Sequence, residues 1–332
     1  KRFKLAIKSL KNIRNKLSLK DRILAITPDK PFKGKIQYVD HHESHIASSL
    51  YYSDFDECIN LSLDGFGDFA SSAWGTFKNS KNILDGRVYF PHSMGIFYQA
   101  ITQFLGFKNY GDEYKVMGLS SYGKPKYEKE ISNLLFNTEN GFELNLSYFI
   151  HHNENIIKSN LNNKITYKNL YSPKLIDLLG RERDPDDEIN QKHIDIAKSA
   201  QTVYEKTFFN LLNYLYSKYK ISNLTLSGGC ALNSVANGKI LKNTFFKKIY
   251  ISPNPGDAGG SVGSALISVN KSKYEVDKNI NYAYLGKKFT NEEIENIIKE
   301  KCIRKKFNIE KFSEEDIFEK TADFLKDSRI IG

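Results

Sequence analysis

Apolar residues recur along the chain with two different periods, and the changes between them mark out the elements. Over residues 1–27, Leu5, Ile7, Leu10, Ile13 and Leu17 make an approximate helical stripe that Pro28 and Pro31 end. A helix is predicted from about His41, where Asp40 can cap the first turn and Glu43, three residues later, can close the reciprocal bond. Met94–Leu105 again carries helical spacing. So does Ile194–Lys220, in which Ala197, Gln201, Tyr204, Phe208, Leu211 and Leu215 share a face suited to packing on a sheet. Ile59–Asp64 and Ser71–Phe77 alternate as strands of a hairpin, joined by Gly65-Phe66-Gly67-Asp68.

Further on, strand Leu224–Leu226 leads through Ser227-Gly228-Gly229-Cys230 into a helix over Asn233–Leu241. Strand Lys248–Ile251 then leads through a glycine-rich loop, Gly256–Gly263, into another helix. Strand, glycine turn and helix in succession indicate an α/β nucleotide-binding fold. Residues 137–190 are rich in Asn, Asp and Lys and read as loops or an insertion. Beyond about residue 275 the texture changes to a charged amphipathic helix at Lys287–Ile303, a strand at Lys305–Ile309 and a helix at Glu314–Lys326, the start of a new domain.

Composition narrows the function classes. A length of 332 residues favours two lobes or domains, and 40% apolar with 13% aromatic residues excludes a disordered chain. The formal charge of +10 fits a solvated Lys-rich surface, with attraction to phosphate or nucleic acid as the alternative; no nucleic-acid partner is expected. Cys58, Cys230 and Cys302 lie far apart and match no metal spacing, which suits a reducing cytoplasm. No apolar run approaches the ~18 residues of a membrane span, and no signal-peptide pattern opens the chain. Because it begins at Lys1, it is expected to be a piece of something longer.

Several residues carry candidate chemistry. His41 and His45 stand four apart at a helix start, which places both imidazoles on one face within reach of a single ion; the spacing equally suits a structural pair. Asp64 ends a strand before Gly65, where open α/β sheets present ligand-binding carboxylates, although a turn aspartate reads the same way. Gly228 and Gly229 would let a phosphate approach the backbone, with Asn233 either bonding the ligand or satisfying the chain. Asp257, just before Gly259 and Gly260, is either a metal ligand or a helix cap. Two histidines and two carboxylates suit Fe(II), Zn(II) or Mn(II).

Taken in order, six motifs resemble the NodU/CmcH carbamoyltransferase family over about residues 37–270. They are HHESHIASS (His41–Ser49), LSLDGFGD (Leu61–Asp68), SMGIFYQAITQFLGF (Ser93–Phe107), GDEYKVMGLSSYG (Gly111–Gly123), LSGGCALNSVANG (Leu226–Gly238) and GDAGGSVGSA (Gly256–Ala265). The resemblance implies an α/β, actin- and sugar-kinase-like (ASKHA, TsaD-like) two-lobed fold over residues 1–275, followed by the beginning of a YrdC-like α/β domain over 276–332. It implies an ATP-dependent O-carbamoyltransferase. The YrdC-like part makes carbamoyl-adenylate from carbamoyl phosphate and ATP with Mg(II), and the TsaD-like part passes the carbamoyl group to a hydroxyl of a sugar or natural-product acceptor.

The family's metal ligands fall on His41, His45, Asp64 and Asp257, with Fe(II) expected ahead of Zn(II) or Mn(II), and its adenylate site on Gly65, Gly228, Gly229, Asn233, Gly259 and Gly260. Glu113 and Lys115 would line the acceptor pocket, exposed helix charge being the other reading. The family's opening strand pair with a Tyr-His-Asp-Ser-Ala-Ala motif, and its closing Gly-Pro-Arg-Ala-Leu-Gly motif, have no counterpart here. The chain is therefore expected to be incomplete for turnover. Rival readings are a TsaD-type tRNA threonylcarbamoyltransferase, which would lack the GDEYKVMGL and SMGIFYQ segments, and a non-catalytic nucleotide-binding remnant.

Overall fold

The structure, a computed structural model, describes residues 19–26, 33–154, 157–159, 165–271 and 286–332. The chain divides into two compact units, Lys1–Asn281 and Tyr282–Gly332. In the first, α1 (Leu19–Ile26) is the described part of the expected N-terminal helix, the remainder of that stripe lying outside the described residues. Helix α2 (His41–Leu50) starts at the expected place: Asp40 Oδ1 accepts from the Glu43 amide at 3.0 Å. Strands β1 (Cys58–Gly67), β2 (Ala70–Lys78) and β3 (Lys81–Tyr89) then form an antiparallel meander.

Helices α3 (Met94–Phe104) and α4 (Glu113–Leu119) follow, then two small hairpins, β4 (Leu135–Thr138) with β5 (Gly141–Leu144) and β6 (Ile157–Ser159) with β7 (Ile165–Tyr167). After α5 (Pro173–Leu179) and the long α6 (Gln191–Tyr219), β8 (Asn223–Ser227) and β9 (Lys248–Ile251) join β1 in parallel. The five-stranded sheet has the order β3-β2-β1-β8-β9. Helix α7 (Asp257–Lys271) closes the unit; the second unit carries α8 (Asn291–Glu300) and α9 (Glu314–Lys326).

Side-chain alternation along β1 decides what each face of the sheet meets. Ile59, Leu61 and Leu63 point into the main core, shared with Met94, Phe97, Ile101 and Phe104 of α3 and with Tyr204, Phe208 and Leu211 of α6. The intervening Cys58 packs with Ile46 and Leu50 of α2, and Ser62 bonds His42 of the same helix. One face is thus apolar, and the other is lined with small polar groups beneath α2.

Four expectations are revised. The described part of residues 137–190 is more than surface loops: Phe142, Leu144, Phe149, Leu170, Leu175 and Leu179 are buried core residues, delivered by elements too short to display a period. The helix expected over Asn233–Leu241 starts where the Asn233 side chain accepts from the Ala236 amide, but it is broken at Gly238-Lys239 into two four-residue turns, Ser234–Asn237 and Ile240–Asn243, glycine being a poor helix former. The loop Gly256–Gly263 is helical from Asp257 onward. Lys305–Ile309 forms no strand, since no described strand in its unit offers a ladder to pair with.

His151 is 5% exposed, donates from Nε2 to the Pro91 carbonyl at 2.8 Å and packs edge-on against Phe90 and Phe149. Burial pushes its pKa down from the ordinary 6.5 to about 4. Between those values the unfolded chain takes up a proton that the folded one refuses, so stability falls as pH drops through that window and levels off below it. The loss is at most ~3 kcal/mol. Urea unfolding midpoints between neutral pH and the low end of the window should show this slope in the wild type and a shallower one in His151→Phe; equal slopes would contradict it.

Candidate metal centre

Three elements bring four side chains to one point. The four-residue spacing on α2 stacks His41 and His45 so that their Nε2 atoms lie 3.0 Å apart. His42 points elsewhere: its Nδ1 bonds Ser62 Oγ at 2.9 Å and its Nε2 donates to the Ala70 carbonyl, so it fastens α2 to the sheet. Asp64 lies two residues beyond Ser62 on β1 and shares the face beneath α2. Its Oδ2 is 2.9 Å from His41 Nε2 and 3.1 Å from His45 Nε2. From α7, Asp257 Oδ1 comes to 3.5 Å from His45 Nε2 and 3.8 Å from His41 Nε2. One donor atom from each of the four lies within 4.8 Å of the others.

Close backbone contacts make this convergence possible. The parallel pairing of β1 with β8 sets Ser62 opposite Ser227, so the carboxyl ends of the two strands deliver Asp64 and Gly228-Gly229 side by side. Gly228 has φ 86°, and a Cβ there would stand 2.1 Å from the Leu63 carbonyl oxygen. A Cβ on Gly263 would stand 1.8 Å from the Ser44 carbonyl oxygen, which is why α7 crosses α2 closely enough for Asp257 to reach the histidines. The Ser44 and Ser264 hydroxyls bond across the same crossing at 2.9 Å.

The electrostatics suit a cation. Burial opposes a charged Asp64, but bonds from His41 and His45, the His45 charge and the Gly65 amide outweigh it and hold the carboxyl well below the usual carboxylate range. The bond to Asp64 raises the His41 pKa against burial, with the Asp64, Asp257 and Asp68 charges adding to the rise. Two imidazole nitrogens and a carboxylate oxygen at mutual distances of 2.9–3.1 Å repel one another unless a proton or cation lies among them. Donors bound at ~2.1 Å around one ion stand ~3.0–3.4 Å apart, and the triad sits at the short end of that span. His45 is 1% exposed, and among the described residues its Nδ1 has no hydrogen-bond partner, so the ring is oriented by the contacts of Nε2 with Asp64 and His41.

The other expected site residues are distributed unevenly. Gly65 and Gly229 adjoin Asp64, but their amides donate to its Oδ1 at 2.7 and 3.3 Å, and the Gly228 amide donates to the Pro255 carbonyl. These N–H groups therefore serve the aspartate and the turn. Space above Gly65 is open, with nothing within 4 Å of an added Cβ. Asn233 caps its own turn and pairs with Gln201. A Cβ on Gly259 would stand 1.9 Å from the Asn254 carbonyl oxygen, and one on Gly260 would stand 3.9 Å from the His45 ring. Lys115 is held by Asp112 at 2.7 Å, while burial raises the Glu113 carboxyl pKa.

Sequence reasoning missed Asp68, whose Oδ2 accepts from the His41 amide at 2.9 Å, and Arg87, which pairs with Asp40 at 3.1 Å. It also missed a 390 Å³ cavity beside the centre, lined by Val39, Ser44, Asp68, Gly260 and Ser264 with three of the four converging residues. The Gly-Phe-Gly-Asp turn next to Asp64 was the one available signal.

Residues 8–266 match the sequence profile described as Carbamoyltransferase N-terminus. The chain belongs to the carbamoyltransferase family. Among relatives, this carbamoyltransferase-family chain is 37% identical to the Synechocystis sp. protein sll1178, over 88% of this chain and 46% of that one. It is 28% identical to nodulation protein NolNO of Sinorhizobium fredii, over 90% of this chain and 40% of that one. The chain thus spans about half the length of these relatives. Among solved structures, HypF of T. kodakarensis gives a TM-score of 0.37 at 16% identity, covering 75% of this chain and 38% of that one. That likeness is too weak to carry an argument. Among the described residues no helix is long and apolar enough to cross a membrane.

Proposed function

We propose that the chain is the transferring portion of an ATP-dependent O-carbamoyltransferase, in which His41, His45, Asp64 and Asp257 hold one divalent cation next to a carbamoyl-adenylate. The observation that carries this reading is the meeting of two imidazole nitrogens and a charged, half-buried carboxylate at the carboxyl ends of parallel strands, the place where open α/β sheets present ligands. The mixed nitrogen and oxygen set accepts Fe(II), Zn(II) or Mn(II), with Fe(II) the first choice. The bound cation would supply Lewis-acid polarisation of the carbamoyl carbonyl.

The protein's own residues do the rest. The open space over Gly65 admits the adenylate against the end of β1, with Gly228, Gly229, Asn233, Gly259 and Gly260 as the neighbouring wall. In the transfer, an acceptor hydroxyl oxygen forms a bond to the carbamoyl carbon and gives up its proton to solvent, the bond from that carbon to the adenylate phosphate oxygen breaks, and AMP leaves with the bonding electron pair. Glu113 and Lys115 are proposed to border the acceptor, a hydroxyl of a sugar or natural product. Residues 1–275 would be the actin- and sugar-kinase-like part and 276–332 the opening of a YrdC-like domain that makes the adenylate. The mixed sheet, with a meander running into parallel strands, supports the former assignment.

The test is turnover by the full-length protein with ATP, carbamoyl phosphate, Mg(II) and a panel of sugar acceptors. His41→Ala should keep pyrophosphate release from adenylate formation and lose carbamoylated acceptor by more than ~100-fold, the scale of removing a group that acts directly on the reacting centre. Full transfer by His41→Ala would overturn the assignment.

A further inference from the structure

We infer that Arg87, on the outermost strand of the sheet, is a positioning residue that sets how His41 and His45 are presented to the cation. It acts through its ion pair with Asp40. The inference rests on the metal reading above, and it names a residue far from the centre in sequence that touches none of the four converging groups.

Strand pairing places Ser62 of β1 opposite Ala73 of β2, and Ala73 opposite Arg87 of β3. Directly paired residues on neighbouring strands project from the same face, so these three form one row across the sheet. The first turn of α2 lies over that row. At one end Arg87 Nη1 donates to Asp40 Oδ2 at 3.1 Å, and at the other His42 Nδ1 meets Ser62 Oγ at 2.9 Å. The small Ala73, fully buried, leaves room for the helix between them. Asp40 and His42 flank His41 in the chain, so two fastenings on one rigid row fix the backbone that carries the imidazole.

Asp40 is tied at every oxygen. Oδ1 accepts from the Glu43 amide at 3.0 Å, Oδ2 from Arg87, and the carbonyl from the Ser44 amide at 2.9 Å and the Ser44 hydroxyl at 3.0 Å. The Ser44 hydroxyl in turn meets Ser264 on α7, the helix that begins with Asp257. A continuous set of bonds therefore runs from Arg87 through Asp40 to the two helices that supply three of the four converging groups. The Arg87 side chain is only 22% and the Asp40 side chain 29% exposed, so water screens the pair less than it would on an open surface.

Two effects of removing Arg87 have opposite signs. Deleting a positive charge near a cation favours binding, whereas releasing the α2 start weakens it. Partners that orient a ligand from behind typically change metal affinity ~10–100-fold, and positioning is expected to win here because the pair anchors the helix rather than facing the ion.

The experiment measures Co(II) affinity of the chain by competition with a chromophoric chelator, together with the Co(II) ligand-field spectrum. Arg87→Met should bind ~10–100-fold more weakly with an altered spectrum, and Arg87→Lys, which keeps a cation for Asp40, should recover most of the affinity. Asp40→Asn, which keeps the cap acceptor but not the charge, should weaken binding in the same direction and guards against an Arg87→Met variant that fails to fold. Affinity unchanged or tightened in Arg87→Met and Asp40→Asn would overturn the inference. If instead the wild type and His45→Ala bind Co(II) alike, the metal reading itself has failed, an outcome distinct from the others.

Discussion

Asp64→Asn is expected to lower the affinity of the chain for Zn(II) or Co(II) by more than ~100-fold, beyond the ~10–100-fold typical of groups that only orient ligands. The side chain is the hub of the centre: Oδ2 faces both imidazoles, and Oδ1 takes the Gly65 and Gly229 amides. Asparagine keeps the shape and can keep an oxygen toward the two amides, so the β1–β8 junction should survive. What it removes is the negative charge that the two histidines draw out of a half-buried carboxyl. A chelator-competition titration measures the loss, with far-UV circular dichroism as the check on folding. An Asp64→Asn protein that folds and binds like the wild type would mean that the carboxylate is a structural acceptor for the turn amides.

Gly263→Ala should disrupt the crossing of α7 over α2 with a single methyl group. The new Cβ would lie 1.8 Å from the Ser44 carbonyl oxygen and 3.0 Å from the Ser48 amide nitrogen, both backbone atoms of α2, so no flexible side chain can give way. Relief requires α7 to move off α2. Overpacking of this kind costs ~1–3 kcal/mol or more, and the motion also carries Asp257 away from His45. Both a lowered unfolding midpoint and weaker metal binding are therefore expected. Gly118→Ala, in α4, is the control: nothing lies within 4 Å of its Cβ, so the helix should gain ~0.5–1 kcal/mol from the removal of a glycine. Equal behaviour of the two variants would argue against the helix crossing as the element that sets Asp257.

Much of the centre was legible because its signals are local. The capping pattern at Asp40 and the spacing of His41 and His45 fix one helix face without reference to the rest of the chain, and alternation along β1 is enough to put Asp64 on a defined side of a strand. Asp257 was legible as a partner only through the family resemblance and not from local pattern, since its approach depends on Gly263 meeting Ser44, a contact between residues far apart in sequence. Arg87 was invisible for a related reason. Strand β3 reads Lys-Asn-Ile-Leu-Asp-Gly-Arg-Val-Tyr, is mostly exposed and lacks clean alternation, so neither the strand nor its row with Ala73 and Ser62 announces itself.

The glycines proposed as the adenylate wall depend on tertiary contacts in another way. Glycines at 228 and 229 were read as a phosphate approach, yet in the folded chain their amides are engaged by Pro255 and Asp64, and their lack of side chains serves the packing of β8 against β1. Glycine in a turn says that something comes close; whether that something is a ligand or the protein's own backbone is decided by the tertiary structure.

The central claim is that His41, His45, Asp64 and Asp257 share a single cation. Crystals grown with Co(II) and measured at the cobalt absorption edge test it most directly. The account predicts one dominant anomalous peak bounded by the two Nε2 atoms and the two carboxylates, at ~2.0–2.2 Å from each ligand it retains. A dominant peak elsewhere on the chain, or none among these four side chains at saturating Co(II), would contradict it.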